Sequence, residues 1–196
     1  MTLIDPRPGM VELFGILASE TSVPLDGNAF VTRLGPPLTD EFARYGVVGE
    51  AAEDLIARYR ELYADVVIPA TTAMPGAHDA VRSVVDRGGS VIVVSAKHAR
   101  HVQAHLDELG IQVAAVVGEL WSTGKAQALI AHGAEVYVGD HVGDVAGARA
   151  ADALAVGVAS GPMTVDDLTT AGADAVLDDL TQFPAWLDSY LLATVH

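Results

Sequence analysis

The chain has 196 residues, of which 51% are hydrophobic, and it contains no cysteine. This composition supports a sizeable core and excludes global disorder, disulfide frameworks, thiolate chemistry and cysteine-based zinc sites. The 26 acidic residues outnumber the 11 basic ones and give a formal charge of −15, which argues against a nucleic-acid or acidic-membrane surface. The sequence shows neither a leader pattern nor an apolar run of membrane length, so we expect a cytoplasmic protein.

The first part of the chain, from about residue 8 to residue 73, has the pattern of helices only. Met10, Leu13, Phe14 and Leu17 recur at helical spacing after Pro8. The same spacing predicts a second long helix through Leu55, Ile56, Tyr59, Leu62, Tyr63 and Val66. A Gly-Pro-Pro break within Arg33–Leu38 separates the helices.

From about residue 75 the chain alternates between strand and helix patterns. Apolar runs typical of strands buried on both faces lie at Val91–Val94, Val113–Val117, Val136–Val138 and Leu154–Val158. The predicted helices are Ala77–Asp86, His98–Leu109, Lys125–Ala131 and Val145–Ala151, and Val165–Thr170, Ala175–Leu177 and Phe183–Leu192 continue the alternation. Strands separated by single helices predict an α/β fold with a Rossmann-like parallel sheet, which binds ligands at the carboxyl ends of its strands.

Ser95, Ala96 and Lys97 follow the first of these strands. A hydroxyl, free backbone N–H groups and the start of the next helix together form a small phosphate cradle. An ordinary helix N-cap also explains a serine here, and on this feature alone we favour the cap.

Two carboxylates, Asp140 and Asp144, follow the third strand in the sequence GDHVGD. On either side of a tight turn they can converge on one hard cation, and Mg²⁺ prefers such oxygen ligands. The alternative is that both only cap the next helix, and we favour the metal site. Lys125 lies between the two strand ends in sequence and can neutralise a phosphate, although a lone lysine is more often solvated.

Three histidines, His98, His101 and His105, share one face of a predicted helix. No carboxylate at matching spacing completes a metal site, so we expect three exposed side chains on a solvent-facing helix. His141, inside the acidic turn, is open to a substrate contact or to a surface position.

In this order the motifs resemble those of the haloacid dehalogenase superfamily, specifically its phosphoglycolate-phosphatase-like members with a helical cap. Ser95 stands at the second motif, Lys125 at the third, and Asp140 and Asp144 at the fourth. The resemblance extends to Thr2-Leu3-Ile4-Asp5 as the end of the first motif, DxDGTLxD, to Gly35-Pro36-Pro37-Leu38 as the cap loop and to Pro75-Gly76 as the return to the core. It implies a core of residues 1–15 and 75–196 and an inserted all-helical cap of residues 16–74.

Members of this family use an aspartate to attack phosphorus, and water then hydrolyses the aspartyl-phosphate. The resemblance implies that Asp140 binds Mg²⁺ and that Asp144 is a second ligand or orients the first. It assigns the phosphate oxygens to Ser95, the Ala96 N–H and Lys125, cap or substrate contacts to Arg33, Gly35 and Lys97, and bracing of the first-motif turn to Thr2 with Asp5 nearby. The implied partner is a small phosphorylated metabolite, with no nucleic acid and no membrane.

The resemblance also leaves a gap, because the nucleophilic and acid/base aspartates of the family belong directly before Thr2. An alternative alignment of Glu12-Leu13-Phe14-Gly15 with DxDG requires a strand where the spacing is helical, and we prefer the Thr2 alignment. We therefore expect the chain to be inactive as it stands. Three explanations stay open, in this order: a coding sequence that starts further upstream, a non-catalytic relative that binds a phosphorylated ligand or a protein partner, and a different catalytic group recruited from this chain.

The strand that carries those aspartates is central in the family, between the strands found here at Val91–Val94 and Val136–Val138. Its absence leaves unpaired N–H and C=O groups on both neighbours. We expect either that the two strands pair directly or that another segment or subunit, as in a homodimer, fills the slot. A central strand formed by residues 1–7 would contradict this expectation.

Overall fold

The computed structural model describes residues 1–194 and has the predicted α/β architecture. The helices of the first part are α1 (Arg7–Thr21), α2 (Gly27–Val31), α3 (Leu38–Ala43) and α4 (Glu50–Val66). Those that follow are α5 (Ala77–Asp86), α6 (Ala99–Glu108), α7 (Ala126–Ala131), α8 (Val142–Ala150), α9 (Val165–Thr170) and α10 (Phe183–Thr194). The strands are β1 (Ile4–Asp5), β2 (Thr72–Ala73), β3 (Ile92–Val94), β4 (Ala115–Val117), β5 (Val136–Gly139), β6 (Leu154–Val158) and β7 (Ala175–Leu177), with short 3₁₀ turns at Ser122–Lys125 and Leu180–Gln182.

One hydrophobic cluster fills the helical region, and α1 belongs to it along its whole length. Met10, Leu13, Phe14 and Leu17 are all buried, as their spacing predicts. The ring of Phe14 stacks on that of Phe30 with centroids 4.1 Å apart. Burying apolar side chains of this size contributes about 1.5–3 kcal/mol each, so α1 is anchored to the other helices rather than to the sheet.

Two short strands connect the helical region to the rest of the chain. β1 pairs with β2 in antiparallel register, Ile4 opposite Ala73 and Asp5 opposite Thr72. The sequence pattern missed β2 because two residues are too few to show a strand period. The division into residues 1–15 with 75–196 and residues 16–74 stays a prediction, and since α1 lies within one helical cluster, we propose β1 and β2 as the points where the chain crosses between the two parts.

The parallel strands form two separate sheets. β3 pairs with β4, and β5, β6 and β7 form a three-stranded sheet in that order. β3 and β5 line common cavities but do not pair with each other. A cleft therefore separates the two sheets.

Within residues 1–194 the slot of the missing strand is neither closed by direct pairing of β3 with β5 nor filled by another segment, and filling by a second subunit stays a prediction. β3 and β5 do not pair directly, no other described segment pairs with both, and residues 1–7 contribute only β1. A side chain bridges the gap instead, since Tyr137 Oη donates a hydrogen bond to the Val94 carbonyl at 2.8 Å.

The open cleft also changes the burial of the strands beside it. In β3 and β5, the two strands beside the cleft, only Val94 and Gly139 are buried, and all of β4 is half-buried as well. The expectation of burial on both faces is therefore wrong for these strands. Within residues 1–194 no helix combines the length and the apolar character that a bilayer span requires.

Candidate active site

A cavity of about 360 Å³ lies where the carboxyl ends of β3 and β5 meet the helical region. The structure brings to it most of the side chains that the sequence analysis singled out. The residues of that set that line the cavity are Gly35, Ser95, Ala96, Lys97, Lys125, Asp140, His141 and Asp144. Arg33 is not in the lining, because its guanidinium is bonded to Glu41 on α3.

Ser95 presents its hydroxyl in the loop after β3. Its backbone N–H donates to the Val117 carbonyl at 2.9 Å, and its Oγ accepts the Lys97 N–H at 3.1 Å. The hydroxyl proton is therefore left to donate to a ligand. The N-cap of α6 is His98, whose Nδ1 accepts the Arg100 N–H, so the interpretation of Ser95 as an ordinary cap is wrong.

Lys125 is buried and forms the centre of a polar network. Its Nζ donates to Asp144 Oδ1 and, at 2.9 Å, to Tyr137 Oη. The other Asp144 oxygen accepts the His141 N–H at 3.2 Å and thereby caps α8. Because an ammonium has three donors, Lys125 keeps one donor for a ligand, whereas both Asp144 oxygens are engaged.

Asp140 is held by the first two residues of the chain. Its Oδ1 accepts the Thr2 hydroxyl at 2.7 Å, and its Oδ2 lies 2.9 Å from the Met1 ammonium. Burial opposes the charged form, but the ammonium and the Thr2 hydrogen bond outweigh it and hold the pKa of Asp140 below its ordinary value. Asp140 is therefore an anion that already attracts a cation.

Lys97 differs from Lys125 because it forms no ion pair in the described part of the chain. Burial lowers the pKa of its ammonium, while the charge of Asp140 acts in the opposite direction. It lies at the cavity wall beside Ser95 and Ala96. The cavity therefore holds a cation that lacks an anionic partner.

The donor set fits Mg²⁺ only in part. Within residues 1–194 no cluster of three or more His, Asp or Glu side chains forms a metal site. Mg²⁺ nevertheless commonly binds through one or two carboxylates, waters and substrate phosphate. The position of the Met1 ammonium on Asp140 shows that this carboxylate accepts a cationic neighbour, whereas the bonds of Asp144 favour an orienting role over that of a ligand.

The histidine face of α6 is not exposed to solvent, and that expectation is wrong. His101 is 6% exposed and stacks on Tyr63 of α4 with ring centroids 4.3 Å apart. His105 is fully buried, and its Nε2 lies 3.0 Å from Tyr63 Oη. The packing of α4 on α6 covers this face, which a pattern within one helix does not reveal.

Burial lowers the pKa of His105 to about 4 and that of His101 to about 4. The Nδ1 of His105 has no hydrogen-bond partner among the described residues. An imidazolium at that place would bury an unpaired charged donor, which is costly. Both rings are therefore neutral in the folded protein near neutral pH.

The loop from Gly35 to Leu38 closes one side of the cavity. Gly35 has a φ of +145°, and a Cβ there would lie 2.8 Å from the Trp121 ring and 3.1 Å from the His141 ring. Only glycine allows the loop to approach these two rings so closely. His141 itself accepts the Gly143 N–H at 3.0 Å, so it is a helix-capping residue that also lines the cavity.

Several residues that line the cavity were not identified as site residues from the sequence. Arg60 and Tyr63 reach the cavity from α4, Trp121 from the loop before Lys125, and Glu119 pairs with Arg60 at 3.3 Å. They come from the approach of the helical region to the strand ends, which depends on tertiary packing.

The structure also shows where two segments that were compared with the first motif lie. Glu12–Gly15 lies inside α1, so the alternative alignment with a strand and turn does not hold. Asp5 is held by Arg7 at 2.6 Å and does not line the cavity.

The family model for haloacid dehalogenase-like hydrolases matches residues 12–149. Because this match covers more than half of the chain, the chain belongs to that family. No curated protein sequence matches the chain significantly.

Solved structures share the fold at low sequence identity. A predicted phosphatase from Clostridium acetobutylicum is similar with a TM-score of 0.82 and 21% identity, over 95% of this chain and 94% of that one. A haloacid dehalogenase-like family hydrolase from Streptococcus pneumoniae has a TM-score of 0.80 and 21% identity, over 97% and 93%. A predicted phosphoglycolate phosphatase from Haemophilus somnus has a TM-score of 0.78 and 18% identity, over 92% and 91%.

Proposed function

We propose that the cavity is the phosphate site of a Mg²⁺-dependent phosphatase that acts on small phosphorylated metabolites. The observation that carries the proposal is the convergence of Ser95, Lys125 and Asp140 on one cavity at the carboxyl ends of β3 and β5. The family supports it, and so do the similar folds of the Clostridium acetobutylicum phosphatase and the Haemophilus somnus phosphoglycolate phosphatase.

Three groups account for phosphate binding. The Ser95 hydroxyl has its oxygen engaged by the Lys97 N–H and its proton free, the Ala96 N–H lies on the exposed loop beside it, and Lys125 keeps one free donor. Charge-assisted hydrogen bonds from an ammonium are stronger than neutral ones. Together these donors would orient the phosphoryl oxygens.

Asp140 is the residue that would hold the Mg²⁺, and Asp144 would keep Lys125 in place. A bound Mg²⁺ offsets negative charge on the phosphoryl group as the transition state forms. Such an ion would also offset the formal charge of −15, against which a phosphate dianion approaches.

The size of the cavity supports a small substrate. Its volume of about 360 Å³ is at the lower end of the range for small-molecule pockets, roughly 300–1,000 Å³. Gly35, Leu38 and Trp121 also line the cavity, where they would exclude water from a bound ester.

A second candidate is a protein that binds the phosphorylated ligand without turning it over. The observation that favours it is that the carboxylates lining the cavity in residues 1–194 already have partners or another role. Asp144 has both oxygens engaged, Glu119 is paired with Arg60, and Asp140 is the candidate metal ligand. None of these is left as a free nucleophile, so this second candidate predicts little or no turnover by the residues described.

Release of phosphate from a panel of small phosphate monoesters, measured with Mg²⁺ and with EDTA, tests the proposal. Mg²⁺-dependent release by the wild type and its loss in Asp140→Asn would support the phosphatase. Binding of phosphate without release, measured by calorimetry on the same samples, would support the second candidate. Absence of both binding and release would refute both candidates.

A further inference from the structure

A second group of polar side chains lines the cavity, and the proposed function gives it no part in binding the ligand. Tyr59 and Arg60 reach the cavity from α4, and Glu119 reaches it from the loop after β4. Arg60 Nη2 donates to Glu119 Oε1 at 3.3 Å, so the helix and the loop meet at this point. We call Tyr59, Arg60 and Glu119 the second subsite.

The second subsite lies beside the loop that carries the phosphate-binding groups. The Glu119 N–H donates to the Lys97 carbonyl at 2.9 Å, and the Leu120 N–H donates to the Ser95 carbonyl at 3.0 Å. Glu119, Lys97 and Ser95 also line the same cavity. An ester whose phosphate binds at Ser95 therefore has Glu119 as a neighbour of its organic part.

The bond between Arg60 and Glu119 leaves most of their hydrogen-bonding capacity free. A guanidinium has five N–H donors and a carboxylate has two oxygens, and within residues 1–194 one donor and one oxygen are engaged. The two side chains are 43% and 56% exposed, and an ion pair in contact with water contributes little to stability. The pair can therefore turn a donor and an acceptor toward a ligand at little cost.

Tyr59 adds a buried hydroxyl that has no hydrogen-bond partner among the described residues. The residue is 5% exposed and belongs to the hydrophobic cluster of the helical region, and it lines the cavity. In residues 1–194 only His105 Nδ1 is both enclosed and unpartnered, so the Tyr59 hydroxyl keeps contact with the cavity. Burial raises the pKa of Tyr59, and the hydroxyl therefore stays protonated and can donate to a ligand.

The charges around the cavity decide which kind of ligand the second subsite accepts. The lysine and arginine side chains that line the cavity are Arg60, Lys97 and Lys125. Asp144 pairs with Lys125, and Glu119 pairs with Arg60. Lys97 forms no ion pair in the part of the chain that the structure describes. A bound phosphate takes up the charge of Lys97, so these three side chains leave no unpaired cation for a second anion.

A hydroxyl group fits the second subsite better than a carboxylate does. The free Glu119 oxygen accepts hydrogen bonds and cannot donate one, and a carboxylate on the ligand has no proton to offer it. Two carboxylates placed side by side also repel each other. A hydroxyl group, in contrast, donates to Glu119 and accepts from Arg60 or Tyr59, so it satisfies both kinds of group.

We propose that the second subsite binds the hydroxyl groups of the organic part of the ester, and that the chain prefers polyol phosphates to carboxylated phosphates. Glu119 is the residue that excludes a carboxylate, and Arg60 and Tyr59 hold the hydroxyl oxygens. The inference rests on the proposed function, because the phosphate of the same ligand has to bind at Ser95 and its neighbours.

Three phosphate esters with the same three-carbon chain test this preference. Glycerol 3-phosphate carries two hydroxyl groups, 3-phosphoglycerate has a carboxylate in place of the terminal hydroxymethyl group, and propyl phosphate has neither. Calorimetry on the full chain in Mg²⁺ should show that glycerol 3-phosphate binds at least about tenfold more tightly than each of the other two. If the esters are hydrolysed, the ratio of their kcat/KM values gives the same comparison.

Glu119→Gln tests the exclusion of the carboxylate by a gain of binding, which a loss of folding cannot produce. The amide has nearly the same shape and no charge, so 3-phosphoglycerate should bind at least about fivefold more tightly than it binds to the wild type. The preference for glycerol 3-phosphate should fall below about threefold. Asp79→Asn is the matched control, because it also removes one negative charge from an exposed ion pair, with Arg82 on α5, outside the cavity. It should keep the wild-type preference.

Arg60→Met and Tyr59→Phe test the contacts with the hydroxyl groups. Each substitution removes a donor and keeps the apolar part of the side chain, so glycerol 3-phosphate should bind about three- to tenfold more weakly. Binding of propyl phosphate should change less than about twofold, because this ester has no hydroxyl group to lose a contact. Equal weakening of both esters would show a structural effect and would overturn the role of these two residues.

Titration of inorganic phosphate on the same samples separates failure of this inference from failure of the proposed function. If inorganic phosphate binds but the wild type does not distinguish the esters, or Glu119→Gln keeps the wild-type preference, the second subsite is overturned and the proposed function stands. Loss of the preference in Asp79→Asn would also overturn it, since the net charge and not Glu119 would then select the ligand. Absence of all phosphate binding would refute the proposed function and this inference with it.

Discussion

The ion pair between Lys125 and Asp144 shows what single residues contribute to this site. Both side chains are buried, at 6% and 11% exposure, and the Tyr137 hydroxyl completes the network. The sequence predicted that both residues belong to the site, because each stands at a motif position. It did not predict that they bond to each other, since the contact depends on the packing of the turn before α7 against α8.

Substitution of Lys125 should destabilise the protein strongly. Lys125→Met leaves Asp144 as an unpaired charge in a buried place, and we expect a loss of about 3–5 kcal/mol in the free energy of unfolding. The double variant Lys125→Met/Asp144→Asn should recover a large part of that loss. Urea denaturation measures both, and equal stability of the single and double variants would contradict the account.

Gly161 makes a contact that tests the position of Asp140. A Cβ at residue 161 would lie 2.1 Å from Asp140 Oδ2, so Gly161→Ala must displace the carboxylate. We expect it to weaken Mg²⁺-dependent phosphate binding at least about tenfold, which corresponds to about 1.4 kcal/mol. Gly124→Ala is the matched control, because no atom lies within 4 Å of its Cβ. Calorimetry that finds the two variants alike would argue against Asp140 as the cation-binding residue.

His105 makes stability depend on pH in a defined direction. Its pKa is lowered from 6.5 to about 4 by burial, so the unfolded chain binds a proton over this range and the folded protein does not. The stabilising effect is therefore complete above about pH 6.5 and is lost as the pH falls toward 4, at about 1.4 kcal/mol per pH unit. The free energy of unfolding of His105→Gln, measured by denaturation at several pH values, should fall less over this range than that of the wild type. Parallel curves for the two proteins would show that His105 is not the neutral buried group described here.

At the scale of elements, the loop at Gly35 contributes to the cavity because it brings the helical region onto the strand ends. The sequence predicted this loop from its Gly-Pro-Pro pattern, and it predicted α1, α4 and the long apolar runs from their periodicity. It could not predict the burial of His101 and His105, the separation of the sheets or the short strand β2. Those features depend on contacts between elements or on elements too short to show a period.

Gly35→Ala should open the loop away from the cavity. The new Cβ collides with the Trp121 ring at 2.8 Å, and the φ of +145° adds strain. We expect weaker binding of phosphate esters, with binding of inorganic phosphate much less affected, since the atoms nearest to a Cβ at residue 35 belong to Trp121 and His141 and not to Ser95, Ala96 or Lys125. Gly46→Ala is the control, because it has a φ of +76° and open space around its Cβ. Equal effects on esters and on inorganic phosphate would contradict this role of the loop.

On the scale of the whole molecule, two surfaces meet at the carboxyl ends of β3 and β5. The cavity under the helical region holds the phosphate-binding groups, and the cleft between the sheets ends at the same Lys97, Lys125 and Asp140. The predicted architecture therefore determines not only where the site lies but also which groups the two surfaces share.

The formal charge of −15 affects how the whole molecule can bind a phosphate ligand. A phosphate dianion approaches against this charge, Lys125 is already neutralised by Asp144, and Lys97 is left as a single cavity cation without an ion pair among residues 1–194. We therefore expect a divalent cation on Asp140 to accompany the phosphate.

Calorimetric titration of inorganic phosphate into the full chain, with Mg²⁺ and with EDTA, tests that expectation most directly. The account predicts binding in Mg²⁺ that is lost in EDTA and in Asp140→Asn. Phosphate binding of equal strength with and without Mg²⁺, or binding that is unchanged in Asp140→Asn, would contradict it.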